Sequence, residues 1–191
     1  MNPRRATLCA ALVAVLAAAV YAGALHSPFV YDDWQTIARN PSIRAWRNWR
    51  YVLAGSGRPL TNYTYALNWA FSGASPLGYH LTNVLLHVLN VVLTFFLTLR
   101  LTANRLAPAV TAAGVMAAHP LLSESVGYLG ARAGLLCATF LLAGTLALAH
   151  AIAAKRRRWL IAAAACWLLA LGCKETAIGL PLAYLGYDRL A

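Results

Sequence analysis

The stretch YHLTNVLLHVLNVVLTFFLTLRL, residues 79–101, decides the fold of this chain. A helix that crosses a bilayer needs about 20 mostly apolar residues. This stretch meets that length and carries one formally charged side chain, Arg100, close to its end. It therefore predicts a membrane-spanning helix.

The composition of the whole chain agrees with that prediction. The 191 residues are 61% hydrophobic and 11% charged, whereas soluble domains are about 45–50% apolar and about 25% charged. The net charge of +11 comes from basic residues that stand between apolar runs, where they act as topology signals. This arrangement argues against a nucleic-acid-binding face. The four cysteines have neither the spacing of a metal site nor the density of a disulfide scaffold.

Further apolar runs predict an all-α, polytopic membrane helix bundle of about six spans in a single domain, residues 1–191. The predicted spans are residues 6–25, 79–101, 106–122, 133–154, 159–173 and 176–187. Pro181 would kink or interrupt the last of them. The first run, preceded by Arg4 and Arg5, also has the features of a cleavable signal peptide, but its length and the later spans favour an uncleaved anchor.

The basic residues predict an orientation with the N-terminus in the cytoplasm. Nine fall at cytoplasmic ends, namely Arg4, Arg5, Arg100, Arg105, Lys155, Arg156, Arg157, Arg158 and Arg189. Seven fall at outer ends, namely Arg39, Arg44, Arg47, Arg50, Arg58, Arg132 and Lys174. The compact cytoplasmic clusters carry most weight, because charge counts most in short loops close to the spans. The expected location is a bacterial inner membrane.

This orientation gathers the few acidic residues on one side. Asp32, Asp33, Glu124 and Glu175 fall at outer ends of spans, and only Asp188 lies inside. Four of five acids on one face predict a site there, on the periplasmic side. The first two stand side by side in FVYDDW, directly after the first apolar run. The alternative for this pair is a solvated start of the loop.

The first outer loop, residues 26–78, is rich in aromatic residues, which favour the membrane–water interface. Its run RPLTNYTYALNWAF places Pro59 at the first turn of a helix that would lie along the interface. One interpretation is that the aromatic residues anchor the loop. The other is that the loop forms a lid or platform over a lipid-borne substrate.

A polar stripe runs along the predicted span at residues 79–101. His80, Asn83, His87, Asn90 and Thr94 are spaced so that they share one helix face. Inside a membrane such groups seek partners on neighbouring helices, so Asn83, His87 and Asn90 predict helix packing. His80, at the outer end, could also reach the site.

Four motifs follow one another in order: FVYDDWQTIARNPSI, RPLTNYTYALNWAFSGASPLGYHLTNVLLHVLN, HPLLSESVGYLGARAGLL and CKETAIGLPLAYLGYD. Together they resemble the N-terminal membrane region of the GT-C glycosyltransferases, most closely the tetratricopeptide-repeat-containing protein O-mannosyltransferases and their bacterial relatives. The resemblance implies transfer of a mannose-like sugar from a polyprenyl-phosphate donor in the membrane lipid to a protein or glycolipid hydroxyl. Family members are much longer, so the chain corresponds to the front part of a larger module.

The resemblance also implies roles for the outer residues. An acidic residue of the first outer loop serves as catalytic base in such families, which here indicates Asp32 or Asp33, with Asp32 favoured. The predicted substrate-binding residues are Arg58, His80, Glu124, Arg132, Lys174 and Glu175. The three cations would hold the lipid phosphate, and Glu124 would orient the acceptor. Asp33 and Glu124 could share Mg²⁺ or Mn²⁺, which prefer oxygen ligands, and the resemblance leaves metal dependence open.

Purely structural explanations are the alternatives to these roles. Lys174 and Glu175 could form a local ion pair, and Arg132 could be a boundary residue whose head reaches the interface. At the level of function, the alternatives are a transporter or channel and a non-catalytic remnant of a glycosyltransferase. Transport sites lie near the bilayer midplane, whereas the acids here lie at span ends. The pattern therefore favours a membrane glycosyltransferase.

Overall fold

The computed structural model describes residues 3–179, and this part of the chain is all-α, with no strand. Its helices are α1 (Pro3–Val20), α2 (Trp49–Ala54), α3 (Pro59–Ser72), α4 (Pro76–Leu101), α5 (Leu106–Ala118), α6 (Leu122–Gly127), α7 (Arg132–Ala154) and α8 (Arg157–Cys173). Short 3₁₀ turns cover Ala22–His26, Ser42–Arg44, Leu129–Ala131 and Glu175–Gly179, and Trp34–Ala38 is a π-helical turn. The predicted all-α membrane bundle is confirmed.

Three helices in the described part are long and apolar enough to cross a membrane: Pro3–Val20, Pro76–Leu101 and Leu129–Ala154. The first ends at Val20, earlier than predicted, and the chain continues as a separate 3₁₀ turn. The helix α5 is also shorter than predicted, because Pro120 disfavours helical backbone at the residue before it. Its 13 residues reach about 20 Å at 1.5 Å per residue, less than the hydrocarbon thickness.

The last two predicted spans have different outcomes. The fifth corresponds to α8, a helix of 17 residues that begins at Arg157. Of the sixth, only residues 176–179 are described, and they belong to a 3₁₀ turn. The remainder of that span, which includes Pro181, lies outside the described residues, and so do Asp188 and Arg189.

Small side chains bring α1 and α5 together beside α4. Buried alanines recur every four residues along α5, at Ala109, Ala113 and Ala117. They share one apolar core with alanines of α1 and with Val91 and Phe95 of α4. Membrane helices associate through such small-residue faces because these faces let the backbones approach closely.

The polar stripe of α4 makes the interhelical contacts that its spacing predicts. The side-chain amide of Asn83 donates to the Val126 carbonyl at 3.3 Å, and that of Asn90 donates to the Leu135 carbonyl at 3.0 Å. The Thr139 hydroxyl donates to Asn90 Oδ1 at 2.7 Å. His87 Nε2 lies 3.5 Å from the Ala117 carbonyl of α5. The prediction of helix packing for Asn83, His87 and Asn90 is confirmed.

The first outer loop folds around an apolar core that it shares with the start of α4 and with the turn before α7. Ile37, Ile43, Val52, Tyr65 and Leu129 are all buried in this core. Helix α3 begins at Pro59, as predicted, and ends at Gly73, whose φ of 55° favours glycine. The loop is therefore a folded unit that can hold side chains in fixed positions.

Candidate active site

The two adjacent carboxylates have different surroundings. The side chain of Asp33 is completely buried. Its Oδ2 accepts a hydrogen bond from the backbone N–H of Val30 at 3.1 Å, and its Oδ1 accepts one from the N–H of Gly130 at 2.9 Å. Asp33 therefore ties the first outer loop to the turn that precedes α7.

Burial raises the pKa of the Asp33 carboxyl above its ordinary value. The hydrogen bonds from Val30 and Gly130 and the nearby His80 lower this pKa, and Asp32 raises it slightly. His80 is itself buried, and its ring nitrogens have no hydrogen-bond partner among the described residues. His80 lies near Asp33, and its substrate-binding role stays a prediction.

Asp32 is exposed, and its backbone rather than its side chain serves the fold. Its carbonyl accepts hydrogen bonds from the N–H groups of Gln35 at 3.0 Å and Thr36 at 2.8 Å, and from the Thr36 hydroxyl at 2.8 Å. These bonds start the π-helical turn. The carboxylate borders a cavity, where it contacts the hydroxyl of Tyr128.

This cavity, here called the carboxylate cavity, has a volume of about 660 Å³. It is lined by Ser27, Pro28, Val30, Tyr31, Asp32, Glu124, Gly127 and Tyr128. The fold thus brings together two acids that lie far apart in sequence, Asp32 and Glu124. An aromatic wall completes the cavity, since Tyr31 and Tyr128 pack edge to face with ring centroids 6.3 Å apart.

Tyr128 and Gly130 belong to the site, although the sequence did not single them out. Burial raises the pKa of the Tyr128 hydroxyl, and the neighbouring carboxylates of Asp32 and Asp33 raise it further. A Cβ at Gly130 would lie 2.7 Å from the Tyr128 ring, so a larger residue there would require the ring to move. The backbone of Tyr31 has a φ of 46°, which is uncommon for a bulky residue, directly before the carboxylate pair. The only sequence signal for Tyr128 and Gly130 was their place within the GYLGARAGLL motif.

Arg58, in the first outer loop, and Glu175, directly after α8, form an ion pair. The Arg58 guanidinium donates from Nε to Oε2 of Glu175 at 3.3 Å and from Nη2 to Oε1 at 3.0 Å. This bidentate pair lowers the pKa of the Glu175 carboxyl. Glu175 therefore pairs with Arg58, and not with its sequence neighbour Lys174 as the alternative had it. Arg58 also borders a second cavity, of about 520 Å³, together with Gln35 and Asn40.

Arg132 is fully buried. Its guanidinium therefore does not extend to the membrane interface, contrary to the alternative interpretation. Its guanidinium donates to Asn83 Oδ1 at 2.8 Å, to Asn68 Oδ1 at 2.6 Å and to the Tyr79 carbonyl at 2.9 Å. It also stacks over the ring of Tyr65, 4.5 Å from its centroid. With its donors engaged by the protein, Arg132 joins α3, α4 and α7, and its substrate-binding role stays a prediction.

The donor set for a metal is only partly assembled. Glu124 borders the carboxylate cavity beside Asp32, whereas the two oxygens of Asp33 already accept backbone hydrogen bonds. Among residues 3–179 no group of three or more His, Cys, Asp or Glu side chains is placed to hold a metal ion. Binding of Mg²⁺ or Mn²⁺ by Asp33 and Glu124 therefore stays a prediction.

The structure thus defines an integral membrane helix bundle with a carboxylate-lined cavity at its first outer loop. No family model matches the chain, and no solved structure matches it. Curated relatives do. The protein O-mannosyl-transferase Tmtc1 of Drosophila melanogaster is 38% identical over 188 residues, which cover 89% of this chain and 21% of that protein.

Two further relatives agree. Tmtc2 of Drosophila melanogaster is 34% identical over 185 residues (85% of this chain, 20% of that protein), and human TMTC4 is 29% identical over 201 residues (87% and 27%). The chain is a homologue of the TMTC protein O-mannosyltransferases of the GT-C superfamily, and the resemblance seen in the sequence motifs is confirmed. The chain spans about a fifth of the length of the two fly relatives.

Proposed function

We propose that the chain is part of a membrane glycosyltransferase. It would transfer a sugar, mannose or a close relative, from a polyprenyl-phosphate donor to a hydroxyl of a protein or glycolipid. The observation that carries the proposal is the exposed carboxylate of Asp32 in the carboxylate cavity, next to Glu124 and Tyr128. The names of the homologous O-mannosyltransferases support the reaction class.

The proposed reaction needs few protein groups. A sugar phosphate already carries a good leaving group, so the protein has to supply a base for the acceptor and positive charge for the departing phosphate. Asp32 takes the proton of the acceptor hydroxyl while the acceptor oxygen bonds to the anomeric carbon. The bond from that carbon to the phosphate oxygen breaks, and its electron pair leaves with the polyprenyl phosphate.

Neighbouring groups have supporting roles in this proposal. Glu124, which lines the same cavity as Asp32, would orient the acceptor hydroxyl. Arg58 and Lys174 would attract the lipid phosphate, and Arg58 would exchange the carboxylate of Glu175 for a phosphate with the same two-point geometry. The distribution of basic residues supports a site on the outer side of a bacterial inner membrane.

Donor binding is the direct test of the proposal. The chain, purified in lipid nanodiscs, is incubated with radiolabelled polyprenyl-phosphate mannose, and both bound donor and released mannose are measured. Saturable binding with slow release to water is expected. Absence of binding would contradict the proposal, and ion flux through the reconstituted protein without donor binding would support a transporter instead.

A further inference from the structure

Arginine–tryptophan pairs recur along the first outer loop. The guanidinium carbons of Arg47 and Arg50 lie 5.4 and 5.3 Å from the ring centroids of Trp46 and Trp49, their neighbours in sequence. Two further pairs, Arg39 with Trp34 at 6.0 Å and Arg44 with Trp69 at 4.9 Å, join more distant residues. These four arginines and four tryptophans are here called the Arg–Trp surface.

The Arg–Trp surface is open and carries positive charge only. All four arginines are exposed, and Trp34, Trp46 and Trp49 are between 38% and 53% exposed. The sequence contains no acidic residue between Asp33 and Glu124. None of the four arginines forms an ion pair with a carboxylate in the part of the chain that the structure describes. The surface therefore offers cations that the protein itself does not neutralise.

A concave site lies within this surface. A cavity of about 290 Å³ is lined by Arg44, Ala45, Trp46, Arg47 and Asn48. Arg44 is held in place, because it donates to the Ala38 carbonyl at 3.2 Å and stacks on Trp69 of α3. The cavity thus combines two guanidinium groups, a side-chain amide and an indole ring. Arginine binds phosphate with two hydrogen bonds, and indole favours the interface between lipid and water.

We propose that the Arg–Trp surface binds anionic phospholipid head groups, with the lipid phosphate in the cavity between Arg44 and Arg47. Juxtamembrane basic residues are attracted to anionic lipid surfaces, and each strengthens the association by about five-fold. Tryptophan rings at head-group level fix the depth of the loop. This binding also explains why positive charge is concentrated in an outer loop, against the usual bias. The inference requires only that the loop lies at the bilayer surface, and it is independent of the proposed sugar transfer.

Quenching of tryptophan fluorescence by brominated lipids tests the inference at this loop alone. Trp159 and Trp167 are replaced by Phe, so that the remaining tryptophans all belong to the Arg–Trp surface. The protein is reconstituted with brominated phosphatidylglycerol or brominated phosphatidylcholine at equal mole fraction. The relative association constant derived from the quenching is expected to be several-fold higher for the anionic lipid than for the zwitterionic lipid. Equal quenching by the two lipids would overturn the proposal.

Variants separate the site from general charge effects. The double change Arg44→Gln and Arg47→Gln removes two of the four cations and is expected to remove most of the several-fold preference. Arg44→Lys with Arg47→Lys keeps the charge and is expected to retain much of it. If the Lys pair loses as much as the Gln pair, the loss reflects the loop fold and the proposal fails.

A matched control lies at the other end of the bundle. Arg158 stacks over Trp159 at 5.5 Å, in the predicted cytoplasmic cluster. Arg157→Gln with Arg158→Gln removes the same charge as the test pair and is expected to leave quenching of the loop tryptophans unchanged. An equal loss with this control pair would show that net charge, and not the Arg–Trp surface, sets the lipid preference. No sugar donor enters the assay, so its outcome is separate from the test of the transferase.

Discussion

Asp32 and Asp33 show how neighbouring carboxylates acquire separate tasks at the scale of single residues. Asp33 points inward, where two backbone N–H groups hold it, one of them 97 residues away in the chain. Asp32 is exposed and lines the carboxylate cavity beside Tyr128. Asp33 therefore stabilises the loop that carries Asp32.

The first prediction concerns the stability of this anchor. Asp33→Asn leaves at least one of the N–H groups of Val30 and Gly130 facing a second donor, and a buried unsatisfied polar group costs about 1–3 kcal/mol. Asp32→Asn alters an exposed side chain and is expected to change the free energy of unfolding by less than about 0.5 kcal/mol. Denaturant unfolding of the purified protein measures both. Equal effects of the two variants would contradict the separation of tasks.

The raised pKa of Asp33 makes stability depend on pH. Because burial raises this pKa above its ordinary value, the folded chain binds the proton more tightly than the unfolded chain does. The stabilising contribution is complete below the ordinary pKa of aspartate and is lost as pH rises through the folded-state pKa. Between about pH 4 and pH 7, the Tm of the wild type should therefore fall relative to that of Asp33→Asn. A constant difference in Tm across this range would refute the assignment.

Arg132 organises the site at the scale of helices. One guanidinium joins the side chains of Asn68 on α3 and Asn83 on α4 to the first residue of α7. A buried cation usually needs a carboxylate, but here neutral oxygens and the ring of Tyr65 surround it. The turn that carries Gly130 is held directly before this junction, so Arg132 fixes the geometry that Asp33 relies on.

Loss of Arg132 is predicted to be among the most costly single changes. Arg132→Ala leaves the acceptors of Asn68, Asn83 and Tyr79 without their donor, which should destabilise the protein by on the order of 3 kcal/mol or more. Thr139→Val, a control in the same helix, removes one hydrogen bond to Asn90 and should cost about 1 kcal/mol. Unfolding in graded detergent mixtures compares the two. A smaller loss for Arg132→Ala than for Thr139→Val would contradict this structural role.

The features of the helices differ in how well they could be predicted from the sequence. The apolar run of α4 and its polar stripe specify a span and its packing face, because both depend on local periodicity. The prediction for α5 followed the apolar run to residue 122 and missed the effect of Pro120, before which the helix ends at Ala118. The bonds from Gly130 to Asp33 and from Glu175 to Arg58 were not predictable, since each joins segments about a hundred residues apart. Only the tertiary fold decides which carboxylate is buried.

At the scale of the whole molecule, the bundle presents a folded loop, a carboxylate cavity and an ion pair at one end. Asp32, Glu124 and the Arg58–Glu175 pair all belong to loops or turns at predicted outer ends of the spans. The basic cluster at residues 155–158 belongs to the opposite end of α7. If the predicted orientation holds, the cavity and the basic cluster lie on opposite sides of the membrane.

Topology is the corresponding prediction. A single cysteine introduced at Trp34, in a background without the four natural cysteines, should react with an impermeant maleimide in intact cells. A cysteine introduced at Arg157 should react only after permeabilisation. The reverse pattern would place the carboxylates on the cytoplasmic side and remove the basis for an outer site.

The most direct test of the account compares the two aspartates in catalysis. Release of mannose from polyprenyl-phosphate mannose is followed in single turnovers with the full chain in nanodiscs, together with donor affinity. Removal of a catalytic base costs about 100- to 10,000-fold in rate, so Asp32→Asn should show a loss of this size with unchanged donor binding and unfolding. A near wild-type rate for Asp32→Asn, with the loss confined to a stably folded Asp33→Asn, would contradict the account.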